Sequence, residues 1–227
     1  MNSLKLRQNI TIIIQKLFRR VNKLLPSFMR RQWVTALTYD KRYFHDPSYR
    51  YLTDLQVAEF SQVIMTLLEP KSVIDLGCGL AHYLVALKAK GVRVIGFDVS
   101  LYAVKNTDPS VPVFIMDIKK PFRSNQKFDI AICFEVAEHL PKNCAPVLIE
   151  SLCTLSDTIL FTAAQPTQPG IDHINLQLKS FWVALFNHNG LNIDEQLTQQ
   201  FVECLNSING PEWFSQNFSV FRKIADS

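Results

Sequence analysis

Four acidic residues, each placed just past an apolar run, carry the chemical signal of this sequence: Asp75, Asp98, Asp117 and Glu135. Beyond the first lies Gly77-Cys78-Gly79. A carboxylate can accept hydrogens from two neighbouring hydroxyls or from an amino group. Two glycines one residue apart allow a tight turn and a close backbone approach to a ligand, where a Cβ would collide. In an open parallel sheet the ligand sits outside the carboxyl ends of the strands, so the acids and the glycine turn belong to one edge. Asp98, roughly 20 residues past the glycines, stands where ribose hydroxyls are accepted. Asp117 stands where an adenine amino group could be accepted. Any one of these acids could be a loop carboxylate in water; four together with the glycines read as a nucleoside-type site.

Two histidines add acid–base chemistry. His139 lies in Glu135-Val136-Ala137-Glu138-His139-Leu140-Pro141, and His173 in Gly170-Ile171-Asp172-His173-Ile174-Asn175. An imidazole changes charge near neutral pH and suits a general base. His173, in a loop leaving the same sheet edge, is a candidate base or substrate hook; the alternative is a bond to its own loop backbone. His139 competes for that role, and Glu138 with His139 could instead orient the following helix. Glu135, His139, Asp172 and His173 could frame a metal, but no tight ligand spacing supports one, and none is expected.

The elements that must position these residues follow a repeating pattern. Val73-Ile74 is a buried strand, and Ala81 to Lys90 has helical spacing. Further strands are expected over Val92–Phe97, Val113–Met116, Phe128–Phe134 and Thr158–Thr162. Helices are expected over Asp54–Glu69, Ala145–Leu155 and Leu178–Asn187. The tail reads as a strand over Leu191–Leu197, a helix, and a strand over Asn217–Arg222. This rhythm predicts an α/β fold, a doubly wound and mostly parallel seven-stranded sheet.

Asp75-Leu76-Gly77-Cys78-Gly79 resembles the first motif of the class I S-adenosylmethionine-dependent methyltransferases, with Leu80-Ala81 where that family often has Thr-Gly. The run from Phe128 into Glu135-Val136-Ala137-Glu138-His139-Leu140 resembles its small-molecule branch. The resemblance covers roughly residues 40–222 and implies a Rossmann-like fold and S-adenosyl-L-methionine as cofactor. It implies cofactor contacts from Asp75, Gly77, Cys78 and Gly79. Asp98 would take the ribose, Asp117 the adenine amino group, and Val99 and Ile118 would flank the adenine. Phe134 and Glu135 would lie beside the methionine part, Glu135 binding its ammonium or accepting a substrate proton. Tyr39, Tyr43 and Tyr51 fall where many members have a Tyr-rich cover; packing on the sheet's helices is the competing reading. Gly170-Ile171-Asp172-His173-Ile174-Asn175 is similar to a stretch in members acting on sugars and other small acceptors. No Asn/Asp-Pro-Pro-Tyr/Phe signature of amino-group methylation follows the fourth strand. The implied reaction is methyl transfer to a small-molecule or glycan oxygen, with His173, His139 and Glu135 as catalytic candidates. The rivals are a non-catalytic relative that binds cofactor or a partner, and a nicotinamide oxidoreductase, disfavoured because His82 stands where the third glycine of a dinucleotide turn belongs.

The 227 residues, 48% hydrophobic and 19% charged, suit one domain of ordinary composition. The net charge of +4 is unevenly spread. Residues 1–31 hold eight Lys and Arg and no acid, so the remainder carries −4. An acidic body argues against a nucleic-acid partner. Five cysteines without a Cys-x-x-Cys pair suit reduced thiols and a cytoplasmic address. The chain divides into a basic extension, 1–32, and a catalytic domain, 33–227. Residues 4–25 have the apolar stripe of an amphipathic helix, which could pack on the body, join two subunits, or lie on a membrane surface. If it lies on a membrane, vesicle binding should require anionic lipid and weaken with salt. If it packs on protein, deleting residues 1–32 should lower the melting temperature or change the oligomer. Equal binding to neutral and anionic vesicles, with unchanged melting and mass on deletion, would exclude both.

Overall fold

The computed structural model describes residues 39–46, 49, 51–168 and 170–223. The amphipathic stripe at 4–25 lies outside them. Strands β1 (Ser72–Leu76), β2 (Arg93–Asp98), β3 (Val113–Ile115), β4 (Ile130–Phe134), β5 (Thr158–Thr162), β6 (Asn192–Ile193) and β7 (Ser219–Arg222) form one sheet. Their order is β3-β2-β1-β4-β5-β7-β6. β1 pairs in parallel with both β2 and β4, so the winding reverses between β1 and β4. That reversal opens the crevice where such sheets bind ligands. β7 inserts antiparallel between β5 and β6, the return expected of the tail.

Helices α1 (Lys41–Phe44), α2 (Asp54–Leu68), α3 (His82–Ala89), α4 (Leu101–Asn106), α5 (Ala145–Leu155), α6 (Lys179–His188), α7 (Glu195–Ser207) and α8 (Glu212–Asn217) complete the domain. β1 and β4 are buried along their whole length, which is why they read as unbroken apolar runs rather than alternating ones. One face of the sheet packs Phe60 and Ile64 of α2, Leu84 of α3, Phe201 of α7 and Phe214 of α8. The other packs Leu148 and Leu152 of α5 against Trp182 and Phe186 of α6. There Phe186 stacks on Phe221 of β7 at 3.8 Å between centroids. Burying each such ring contributes about 1.5–3 kcal/mol, so the two layers are held mainly by aromatic and aliphatic burial.

Three expectations are corrected. The strand expected over Leu191–Leu197 shrinks to Asn192–Ile193, because Asp194 caps a helix by accepting from Leu197 N at 2.9 Å. The ladder of β4 begins at Ile130, Phe128 making only an isolated bridge to Ser156. Between β2 and β3 the unforeseen α4 starts at Ser100, whose hydroxyl accepts from Ala103 N.

Asp129 fastens the mouth of the β1–β4 pair at its amino end. Its carboxylate accepts from Lys71 N and Ser72 N, both at 2.8 Å, and from the Ser72 hydroxyl. Desolvation alone would raise its pKa, but these bonds together outweigh it and hold the pKa below the ordinary aspartate value. A depressed folded-state pKa adds stability above the unfolded value that is lost as pH falls through the folded one. Asp129→Ala should therefore cost about 1 kcal/mol at neutral pH, since the group is exposed and screened. The gap between wild type and variant in urea melts should close below about pH 4; a pH-independent gap would contradict this account.

Candidate active site

The turn after β1 is built from backbone that few residues can adopt. Gly77 and Gly79 both have positive φ, 85° and 52°. A Cβ on Gly77 would meet the Val136 side chain, and one on Gly79 would meet the Tyr49 hydroxyl. The sequence suggested that ligand approach required these glycines; within the protein it is these two side chains that exclude a Cβ. The turn is closed by Asp98 at the end of β2, which accepts from Gly79 N at 2.8 Å and Ser100 N at 2.7 Å. One carboxylate thus ties the glycine turn to the start of α4. Burial raises the Asp98 pKa, with the backbone donors opposing that rise.

A cavity of about 510 Å3 opens over this edge. Asp75, Gly77, Cys78, Gly79, Asp98, Val99, Asp117, Ile118, Phe134, Glu135, His139 and His173 all line it. Asp75 is buried, and burial followed by the Asp98 charge pushes its pKa well up. Asp117 accepts from Lys119 N at 3.2 Å and lies 3.6 Å from the Lys119 ammonium. Tyr39, Tyr43 and Tyr51 also face the cavity. Their segment is fixed in two places. The Tyr49 hydroxyl accepts from Leu80 N at 3.1 Å, and the Ser100 hydroxyl donates to Tyr39 O at 2.6 Å.

Beyond β4 the chain turns sharply. Glu135 takes a left-handed conformation, φ 54°, and its N–H donates to the Thr162 hydroxyl at 2.9 Å. This kink leads into the single 3-10 turn Ala137–His139. It carries Glu138 inward, where it is wholly buried and neither carboxyl oxygen has a hydrogen-bond partner among the described residues. Burial and the adjacent Glu135 charge push the Glu138 pKa well up. The Glu138 carbonyl accepts from Ile174 N and Asn175 N at 2.9 and 3.0 Å. Those bonds dock the loop after β5 onto the turn and set His173 against His139, ring centroids 4.9 Å apart and edge to face. His173 Nδ1 lies 2.8 Å from Gln168 O, which makes that nitrogen the donor and leaves Nε2 with its lone pair. Burial, followed by the His173 charge, lowers the His139 pKa to about 4, so its ring is neutral at pH 7.

One residue unnoticed in the sequence completes this edge. Asn217, ending α8, donates to Gln168 Oε1 at 2.9 Å and to Glu135 Oε1 at 3.3 Å. Gln165 donates back to Asn217 Oδ1 at 3.2 Å. No sequence pattern points to Asn217, which lies 82 positions from Glu135. Glu138 had a visible signal, its place in Glu-x-x-Glu-His, but was read as orienting a helix.

The family model described as "Methyltransferase domain" matches residues 43–194. The chain belongs to that family. This methyltransferase domain uses S-adenosylmethionine as its cofactor. Its fold is similar to that of magnesium protoporphyrin IX methyltransferase from Synechocystis PCC 6803 with bound SAH, at 19% identity and TM-score 0.54, over 77% of this chain and 90% of that one. It is also similar to a SAM dependent methyltransferase from Archaeoglobus fulgidus, at 17% identity and TM-score 0.57, over 80% and 98%. The CcbJ methyltransferase from Streptomyces caelestis aligns at 12% identity and TM-score 0.60, over 83% and 98%. No curated protein matches the chain. No helix among the described residues is long and apolar enough to cross a membrane.

The residues fit the cofactor. With one bond accepted on each oxygen, Asp98 keeps lone pairs for a pair of hydroxyls. Removing this carboxylate would leave two buried N–H groups unpaired as well as the hydroxyls. Asp98→Ala should lower stability without cofactor by about 1–3 kcal/mol and also reduce the stabilisation that added S-adenosylmethionine gives. Thermal melts with and without cofactor separate the effects; equal melting shifts in wild type and variant would remove Asp98 from the site.

Proposed function

We propose that this methyltransferase transfers a methyl group to a hydroxyl oxygen of a small-molecule or glycan acceptor. The observation that carries the reading is the half-buried His139–His173 pair on the β4–β5 side of the cavity, across β1 from Asp98 and Asp117. The magnesium protoporphyrin IX methyltransferase named above, similar in fold, acts on a small molecule by its name, in keeping with such an acceptor. A cavity of about 510 Å3 lies within the range of small-ligand sites, ~300–1,000 Å3.

Cofactor binding would be shared along the strand ends. Asp98 accepts the ribose hydroxyls and Asp117 the adenine amino group, while Val99 and Ile118 flank the ring. Asp75, Gly77, Cys78 and Gly79 shape the turn under the ligand, and Phe134 with Glu135 lies beside its amino-acid end. S-adenosylmethionine supplies a methyl group activated by its sulfonium. The protein's task is then to align a hydroxyl and take its proton.

A hydroxyl is a weak nucleophile at neutral pH. His173 Nε2, held by the Nδ1 bond to Gln168 O, is the atom assigned to accept that proton. Tyr39 meets the His139 ring edge to face at 6.0 Å and would shield the pair from solvent. His173→Ala should reduce turnover by about 10²–10⁴-fold, the usual contribution of a positioned base. Calorimetry should show cofactor affinity nearly unchanged. Near-normal turnover in His173→Ala with loss in His139→Ala would exchange the two roles. Near-normal turnover in both, on the acceptor the enzyme uses, would overturn proton transfer through this pair.

A further inference from the structure

Glu138, His139 and His173 each offer one ligand atom, and the three atoms lie within 4.8 Å of one another. Metal bonds of about 2.0–2.2 Å place ligand atoms roughly 3–4 Å apart, so small side-chain rotations would close the set. Proximity alone would be a weak argument. The stronger one is that three polar atoms here have no hydrogen-bond partner among the described residues: both Glu138 carboxyl oxygens and His139 Nδ1. Buried polar atoms are nearly always paired, and Glu138 is at 0% exposure. Orphans on two adjacent side chains, clustered with a third nitrogen donor, indicate a common missing partner.

We propose that Glu138, His139 and His173 bind a divalent first-row transition cation on the acceptor side of the cavity, with Glu135 alongside. Two imidazole nitrogens and one carboxylate suit zinc, cobalt or manganese, and three protein ligands leave coordination positions open for an acceptor. The surroundings match what metal sites require of their supports. His173 Nδ1 is engaged by Gln168 O, which leaves Nε2 as the ring nitrogen to offer a cation. The Nε2 end of its ring lies against Gly170, where any Cβ would overlap it. The bonds from Ile174 N and Asn175 N to the Glu138 carbonyl hold the loop in register with the turn. The sequence hid this arrangement because two ligands are adjacent and the third is 34 positions further on a loop.

The cation's role in catalysis rests on the hydroxyl-acceptor reading above. Contact with the cation would lower the pKa of the acceptor hydroxyl. Its proton leaves to water, an O–CH3 bond forms as the S–CH3 bond breaks, and the electron pair of the broken bond stays on sulfur. In the cation-loaded enzyme His173 would serve as a ligand; the proton transfer assigned to it above belongs to the metal-free enzyme.

The test uses the full chain, stripped with a chelator and dialysed. Cobalt(II) should bind at one equivalent per chain and give visible ligand-field absorption. His173→Ala, a loop substitution, should weaken cobalt binding by at least about 10–100-fold, with thermal melting little changed. Glu138→Gln tests the buried ligand, provided its melting curve shows a folded protein. No stoichiometric cobalt binding, or equal affinity in wild type and His173→Ala, would overturn the site. The two readings fail separately. Cobalt bound through His173 with no methylation of any hydroxyl acceptor would leave the site standing and remove its catalytic role. Chelator-insensitive hydroxyl methylation by protein that binds no cobalt would do the reverse.

Discussion

The reversal of winding between β1 and β4 is the constraint on which the molecule depends. Both strands are buried on both faces, so their polar backbone must be satisfied by neighbouring strands, which beside β1 are both parallel. Helices leaving β1 and β4 must therefore diverge to opposite sides, and the space between their first turns cannot be filled by either. The candidate site residues are delivered to that gap. Asp98 reaches it from one side, and Glu135, Glu138 and His139 from the other.

This division explains why the two halves of the cavity differ in character. On the β2–β3 side, the acids are engaged by backbone donors or a lysine. On the β4–β5 side, a carboxyl and an imidazole are buried with unpaired atoms. Unpaired buried polar groups cost stability and persist where function or an unseen partner requires them. The first side has the finished hydrogen bonding of a rigid platform, and the second keeps bonding capacity in reserve.

Much of this was legible in the sequence, for physical reasons that differ by residue. Asp75 and Glu135 could be placed because fully buried strands leave unbroken apolar runs, and Asp98 because it closes the mostly apolar run of β2; all three ends face the crevice. β7 could be placed because its apolar run matches the sheet rhythm. Glu138 was hidden by backbone geometry: a left-handed Glu135 swings it inward, and no pattern of residue types announces that φ. Asn217 was hidden because its contacts are entirely tertiary. The strand expected over Leu191–Leu197 was drawn too long because a capping aspartate turns the chain into a helix after Ile193. The basic extension remains a reading of composition and spacing alone.

The link from Asn217 to Glu135, Gln165 and Gln168 has a consequence for the order of assembly. A chain leaving the ribosome exposes its glycine turn and Asp98 long before Asn217 emerges. β5 must also wait for β7 to complete its pairing, since β7 lies beside it in the sheet and late in the chain. The cofactor platform can thus form during synthesis while the loop bearing His173 lacks its latch. The acceptor half is the part of the enzyme that matures last, so a nascent chain able to hold cofactor would not yet be equipped to choose what it methylates.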